Sequence, residues 1–236
     1  MSPRTAWTSM SPRADFLLRH LGPAVAVALL LLALERTGID SAISGWFYDA
    51  AAHTFPLRHN GVLEVLGHQW ARELVIATAC CGIALYLLSF VLPALKPWRR
   101  LLLFFALALT ISPLTVTLLK VSSLRHCPWS LAEFGGFAPH LSLFDVAPPG
   151  LPSGHCFPSG HASAGFALLA FYFVGLHLGN RRLALAGLWG GLAAGMTFGV
   201  VRIAQGAHFL SHNLWSGLVC WLVILALYLA VMGVRK

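Results

Sequence analysis

Three polar islands interrupt an otherwise apolar chain: Lys120 to Pro128, Pro158 to His161, and Arg202 to Asn213. Lys120, Arg125 and Arg202 supply cations, while His161 and His208 supply imidazoles, the side chain whose ordinary pKa lies nearest neutrality. Pro158-Ser159-Gly160-His161 stands directly before an apolar run that starts at Ala162. Ser159 suits an N-cap there, and Gly160 lets another group approach the backbone. Free amides at a helix start form a ready anion site, for phosphate above all. Cations to neutralise equatorial oxygens, one imidazole to attack phosphorus and another to protonate the leaving oxygen together describe phosphoryl transfer. That chemistry needs no metal and no cofactor.

Other chemistries use parts of the same set. His208 and His212 are four residues apart and can share a helical face as a metal pair, but no carboxylate lies nearby in sequence and Arg202 opposes a cation. An intramembrane serine protease would draw on Ser159 or Ser163 with a histidine, yet it needs oxyanion donors rather than a cluster of cations. A non-catalytic anion or lipid carrier suits the cations and leaves His161 and His208 without a task. A lipid phosphotransferase uses the same site as a phosphatase, with lipid in place of water as acceptor. His126, His140 and His155 fall in the outer loop, where a substrate contact is open to them. His20, His53, His59, His68 and His177 have no comparable context.

The elements that must position these residues follow from composition. With 236 residues, 58% hydrophobic and 10% charged, the chain holds more apolar surface than a soluble core can hide. Six apolar stretches fit an all-α, polytopic membrane helix bundle: Leu21 to Leu34, Leu74 to Leu95, Leu101 to Leu119, Ser159 to Leu178, Leu183 to Val201 and Leu210 to Met232. Residues 1–15, with the repeated strings Met1-Ser2-Pro3-Arg4 and Met10-Ser11-Pro12-Arg13, read as a disordered cytoplasmic tail, and 16–236 as one six-helix domain. The net charge is +8, and Arg4, Arg13, Arg19, Lys96, Arg99, Arg100, Arg181, Arg182, Arg235 and Lys236 fall on one side of such a threading. This is the positive-inside pattern, so a bilayer and not nucleic acid is the partner, and both termini face the cytoplasm. The three islands then meet at the opposite face. Ile43, Trp46 and Phe47, and later Val62, Leu63, Leu66 and Trp70, recur at helical spacing and suit interfacial helices, with Trp46, Phe47, Tyr48 and Trp70 as an aromatic belt or a lipid-entry lip. The long segment from Val121 to Pro158 reads as a functional outer loop, with Trp129, Glu133 and Asp145 either shaping head-group choice or packing it. Cys80, Cys81 and Cys220 lie in spans as small hydrophobes; Cys127 and Cys156 lie outside, where a disulfide is open to them.

Lys120, Pro158-Ser159-Gly160-His161 and Arg202 with His208 resemble the three signature motifs of the phosphatidic acid phosphatase type 2 superfamily, over residues 75 to 230. The resemblance implies six transmembrane helices and a metal-independent phosphohistidine mechanism. It makes His208 the nucleophile, His161 the general acid, and Lys120, Ser159, Gly160 and Arg202 the phosphate cradle. The chain departs from the family at two places. An arginine is expected where Cys127 precedes Pro128, and Arg125 is its substitute as phosphate ligand. An aspartate is expected four residues after the nucleophile, where His212 stands beside Asn213, and one of these has to orient His208. A Cys127 to Cys156 bridge would tie the first motif to the second. The implied protein hydrolyses a lipid phosphate or diphosphate at the outer face of a bacterial cytoplasmic membrane, with lipid A, undecaprenyl diphosphate and phosphatidylglycerol phosphate all compatible.

Overall fold

A computed structural model describes residues 11–65 and 71–234. The Met1 to Met10 string, Leu66, His68, Trp70, Arg235 and Lys236 lie outside the described residues. The first helix is set by its cap rather than by its apolar run. Ser11 Oγ accepts the Ala14 amide at 3.2 Å and Pro12 takes the first helical position, so α1 spans Pro12–Leu34 and starts well ahead of Leu21. Residues 12–15, expected in the tail, form its first turn.

Two short helices follow, α2 (Ile39–Gly45) and α3 (Gly61–Glu64), where the interfacial periodicity was strongest. Next come α4 (Ala71–Leu88), a 3-10 segment Pro93–Trp98 and α5 (Arg99–Val121). After the outer loop the chain continues through α6 (Gly160–Phe166), a 3-10 turn at Ala167–Leu169, α7 (Ala170–His177), α8 (Arg181–Ala204) and α9 (Leu210–Val231). The architecture is all-α. Four helices are long and apolar enough to cross a membrane: Pro12–Leu34, Pro93–Val121, Arg181–Ala204 and Leu210–Val231. The remaining two expected spans are shorter as continuous helices. The one placed at Leu74 to Leu95 stops at Leu88, ahead of Pro93, and the one at Ser159 to Leu178 is divided by the 3-10 turn.

In the bundle, α9 packs between α5 and α1, α8 runs along α6 and α7, and α4 flanks α5. Phe104, Phe166, Phe173, Ile224, Leu225 and Tyr228 fill the centre. Leu18, Leu29, Leu87, Leu118 and Trp189 are exposed, so the helices are apolar on their outer faces too, as a lipid surround requires. The α6–α7 pair can lie so close to α8 because Gly187, Gly191 and Gly195 present no side chain. A Cβ on Gly195 would meet the Phe166 ring at 2.4 Å.

The sense of the helices sorts the charges. α5 runs from Arg99 and Arg100 to Lys120, and α8 from Arg181 and Arg182 to Arg202. Arg100 and His177 share a pocket with Met232 at one end, while Lys120 and Arg202 close the other. Over that second end lies a cap of loop residues built on Phe55, Leu131, Phe134, Ala138 and Phe209. Phe47 and Tyr48, expected as interfacial anchors, pack into this cap, with the Tyr48 ring 5.2 Å from Phe134. Trp46 remains exposed.

Candidate active site

The turn after α8 delivers the central histidine. Gly206 adopts φ 69°, and its amide donates to the Ile203 carbonyl at 2.8 Å. The next amides, of Ala207 and His208, both donate to the Arg202 carbonyl, at 2.8 and 3.3 Å. This left-handed cap reverses the chain at once and hangs His208 beneath Arg202. Glycine is required twice over, since a Cβ here would also meet the Phe55 ring at 2.5 Å.

The start of α6 is fixed against the same loop and α9. Ser159 Oγ accepts the Ala162 amide at 3.4 Å, the capping role its sequence position suggests. The Ser159 amide donates to the His212 carbonyl at 3.1 Å, and the Ser216 hydroxyl lies within reach of both the Ser159 and His212 carbonyls. His161, the second residue of the helix, has its ring centre 6.2 Å from that of His208, a gap that suits a phosphoryl group between them. Lys120, Gly160 and His161 together line the end of a groove of about 630 Å³. The rest of that groove is apolar, walled by Val75, Ile76 and Ile83 of α4 and by Leu109, Pro113 and Leu114 of α5.

Burial, and after it the positive charges of Lys120, His161 and Arg202, hold the His208 imidazolium well below its ordinary range. Such a histidine stays neutral further into the acid range than a free imidazole does. Arg202 itself is steadied by Gln205 Oε1 at 2.8 Å and by Glu64 Oε2 at 3.8 Å. The structure thus brings Lys120, Ser159, Gly160, His161, Arg202 and His208 to one place.

Three other candidates sit differently. Arg125 Nη1 lies 3.1 Å from Glu35 Oε1, with both side chains buried, and its guanidinium stacks over Phe157 at 4.5 Å. It lines a separate groove with Ser142, Phe157 and Trp215 rather than the one at Lys120. The second Glu35 oxygen accepts the Leu143 amide at 3.1 Å, so the pair also fastens the outer loop. His212 is wholly buried, with the rings of Phe157 and Phe209 each 5.3 Å away and that of His208 at 5.8 Å. Asn213 is buried against α8, where a Cβ on Gly199 would meet its amide carbon at 2.7 Å.

Cys127 and Cys156 form a disulfide that joins the segment after Lys120 to the segment before Ser159. Cys156 is fully buried, with its Sγ 3.6 Å from His208 Nδ1. Cys156, His208 and His212 place their donor atoms within 4.8 Å of one another, the spacing of a metal site. The donor chemistry falls short, because a disulfide sulfur is no thiolate and the two remaining imidazoles lie beside positive charges, Lys120 and Arg202 at His208 and Arg125 at His212.

Sequence reasoning missed Asp40 and Glu35. Asp40 Oδ1 accepts the Ser211 amide at 2.9 Å, capping the start of α9, where Phe209 offers no side-chain acceptor of its own. No local signal points to either residue. The outer-loop residues weighed for substrate contact mostly serve the cap. His126 Nε2 bonds the Pro152 carbonyl at 2.9 Å, Asp145 accepts the Ser142 amide at 2.7 Å, and His140 pairs with Glu133 while stacking on Phe209 at 5.0 Å.

The chain is similar to the Lipid A 4'-phosphatase of Francisella tularensis subsp. novicida (strain U112), 29% identical over 216 residues that cover 88% of this chain and 93% of that protein. No solved structure matches it. The pattern of the PAP2 superfamily matches residues 101–236, which carry Lys120, Ser159, His161, Arg202 and His208, and the chain belongs to that superfamily.

Proposed function

We propose that this protein is a membrane-embedded lipid phosphatase that works through a phosphohistidine on His208, without a metal. The observation that carries this reading is the groove: an apolar channel between α4 and α5 that ends at Lys120, Gly160 and His161. A lipid whose acyl chain lies in the channel brings its phosphate to the cations and the helix start.

On this reading Lys120, Arg202 and the amides behind Ser159 and Gly160 neutralise the phosphoryl oxygens, and Arg125, held by Glu35, supports the loop instead of touching phosphate. The His208 imidazole attacks phosphorus, the bond to the lipid oxygen breaks, and His161 supplies the proton that the leaving oxygen takes up. Water, deprotonated by the now neutral His161, then releases inorganic phosphate and restores His208. α4 and the α6–α7 pair complete six crossings, the basic ends of α5 and α8 face the cytoplasm, and the site opens outward. The name of the similar Francisella protein makes the 4'-phosphate of lipid A the first substrate to try.

The test is phosphate release by detergent-purified protein from lipid A, undecaprenyl diphosphate and phosphatidylglycerol phosphate, each with excess chelator, beside His208→Ala. Release that survives chelator and disappears in the variant is expected. Release that persists in His208→Ala, or that chelator abolishes, would overturn the mechanism.

A further inference from the structure

An imidazole that attacks through one nitrogen needs its proton held on the other. Among the described residues no carboxylate is hydrogen-bonded to His208. His212 stands four residues on, and Asn213 is turned into the contact with Gly199. What faces Nδ1 is Cys156, whose Sγ lies 3.6 Å away.

The oxidation state of that sulfur decides the direction of the contact. Bonded to Cys127, it carries no proton, so a hydrogen bond between the two groups can run only from Nδ1–H to sulfur. A reduced thiol would be a donor as well. It could turn its proton toward Nδ1 and favour the tautomer with Nε2 protonated, which cannot attack.

We propose that disulfide-bonded Cys156 is the positioning residue of His208, holding the proton on Nδ1 and leaving Nε2 bare for phosphorus. The proposal rests on His208 being the nucleophile. The acceptor is rigidly mounted, as positioning demands. The Cys156 amide donates to the Arg125 carbonyl at 3.2 Å and the His155 amide to the Ser123 carbonyl at 3.0 Å. Gly154 lies so close that a Cβ there would meet the Arg125 carbonyl oxygen at 2.3 Å.

The test compares purified protein oxidised, reduced by a dithiol and re-oxidised, beside Cys127→Ala, His212→Asp and the double variant. Reduction and Cys127→Ala should each lower kcat about 10- to 100-fold, the usual effect of losing a partner that orients a reactive group, with KM unchanged. Re-oxidation should restore the wild-type rate, and the carboxylate of His212→Asp should recover kcat in the Cys127→Ala background. Imidazole 15N spectra, with the His208 signal assigned by its loss in His208→Ala, should show Nδ1–H in the oxidised protein and a tautomer mixture after reduction. An unchanged kcat and tautomer after reduction would overturn the proposal. So would a joint collapse of kcat and KM that His212→Asp does not relieve, since that marks loss of structure alone. Failure of the underlying reading shows separately, as phosphate release by oxidised His208→Ala.

Discussion

The main-chain amide of His208 donates to the carbonyl of Arg202 at 3.3 Å, so the proposed nucleophile and a proposed phosphate ligand are two ends of one helix cap. Their separation is set by backbone geometry at Gly206 rather than by side-chain packing, which is stiffer than two rotamers could be.

Gly206→Ala should therefore damage catalysis out of proportion to its size. A left-handed alanine costs about 1–2 kcal/mol before the Phe55 clash is counted, and a misplacement near 1 Å at the reacting groups can cost roughly 100-fold in rate. The expected result is a fall in kcat with helical content retained, read by phosphate release and far-ultraviolet circular dichroism on one preparation. Full activity in Gly206→Ala would show that the cap does not set the spacing.

The charge environment of His208 predicts the acid side of the pH profile. The reacting imidazole must be neutral, and burial with three neighbouring positive groups keeps it so below the ordinary value of 6.5. The rising limb of log kcat/KM should accordingly have its midpoint below 6.5, and Lys120→Met, by removing one charge, should move it upward in whatever activity remains. The stability sign is the same: between the folded and unfolded pKa values the unfolded chain binds more protons, so stability declines as pH drops below 6.5. A limb centred above 6.5 in the wild type would contradict this environment.

Arg125 and Glu35 make a prediction about a pair. Both are buried, so removing one partner strands a charge, at a cost of about 3–5 kcal/mol. Arg125→Ala and Glu35→Ala should each lower the unfolding midpoint in detergent, while Glu35→Gln with Arg125→Met should recover much of the loss. If Arg125 instead holds phosphate, the double variant will regain stability and keep a raised KM for the lipid.

The parts of the site legible in sequence were those with local causes. Ser159 announces a cap by type and position, and Lys120, His161 and Arg202 stand at helix ends where an apolar run gives way to polar residues. The illegible parts are long-range. Asp40 meets Ser211 across 171 residues and Glu35 meets Arg125 across 90, and no spacing rule links such positions. Arg125 was read as a phosphate ligand from its nearness to Lys120 in sequence, a reading made without sight of its buried counter-ion. The fold shows the same division. Ser11 and Pro12 carry a local cap signal that was passed over in favour of a tail, whereas the interruption at Ala167–Leu169 falls in a run of ordinary helix formers and reflects tight packing of α6 and α7 on the glycines of α8.

The two walls of the groove differ in where they fall along the chain. α5 and α6 belong to the stretch shared with the superfamily, whereas Val75, Ile76 and Ile83 of α4 precede it. One wall of the groove is therefore written on a stretch of sequence apart from the residues proposed to bind phosphate. On the proposed function, exchanging α4 alone should change which lipids enter while every residue proposed to touch phosphorus stays in place, one catalytic head taking interchangeable sleeves.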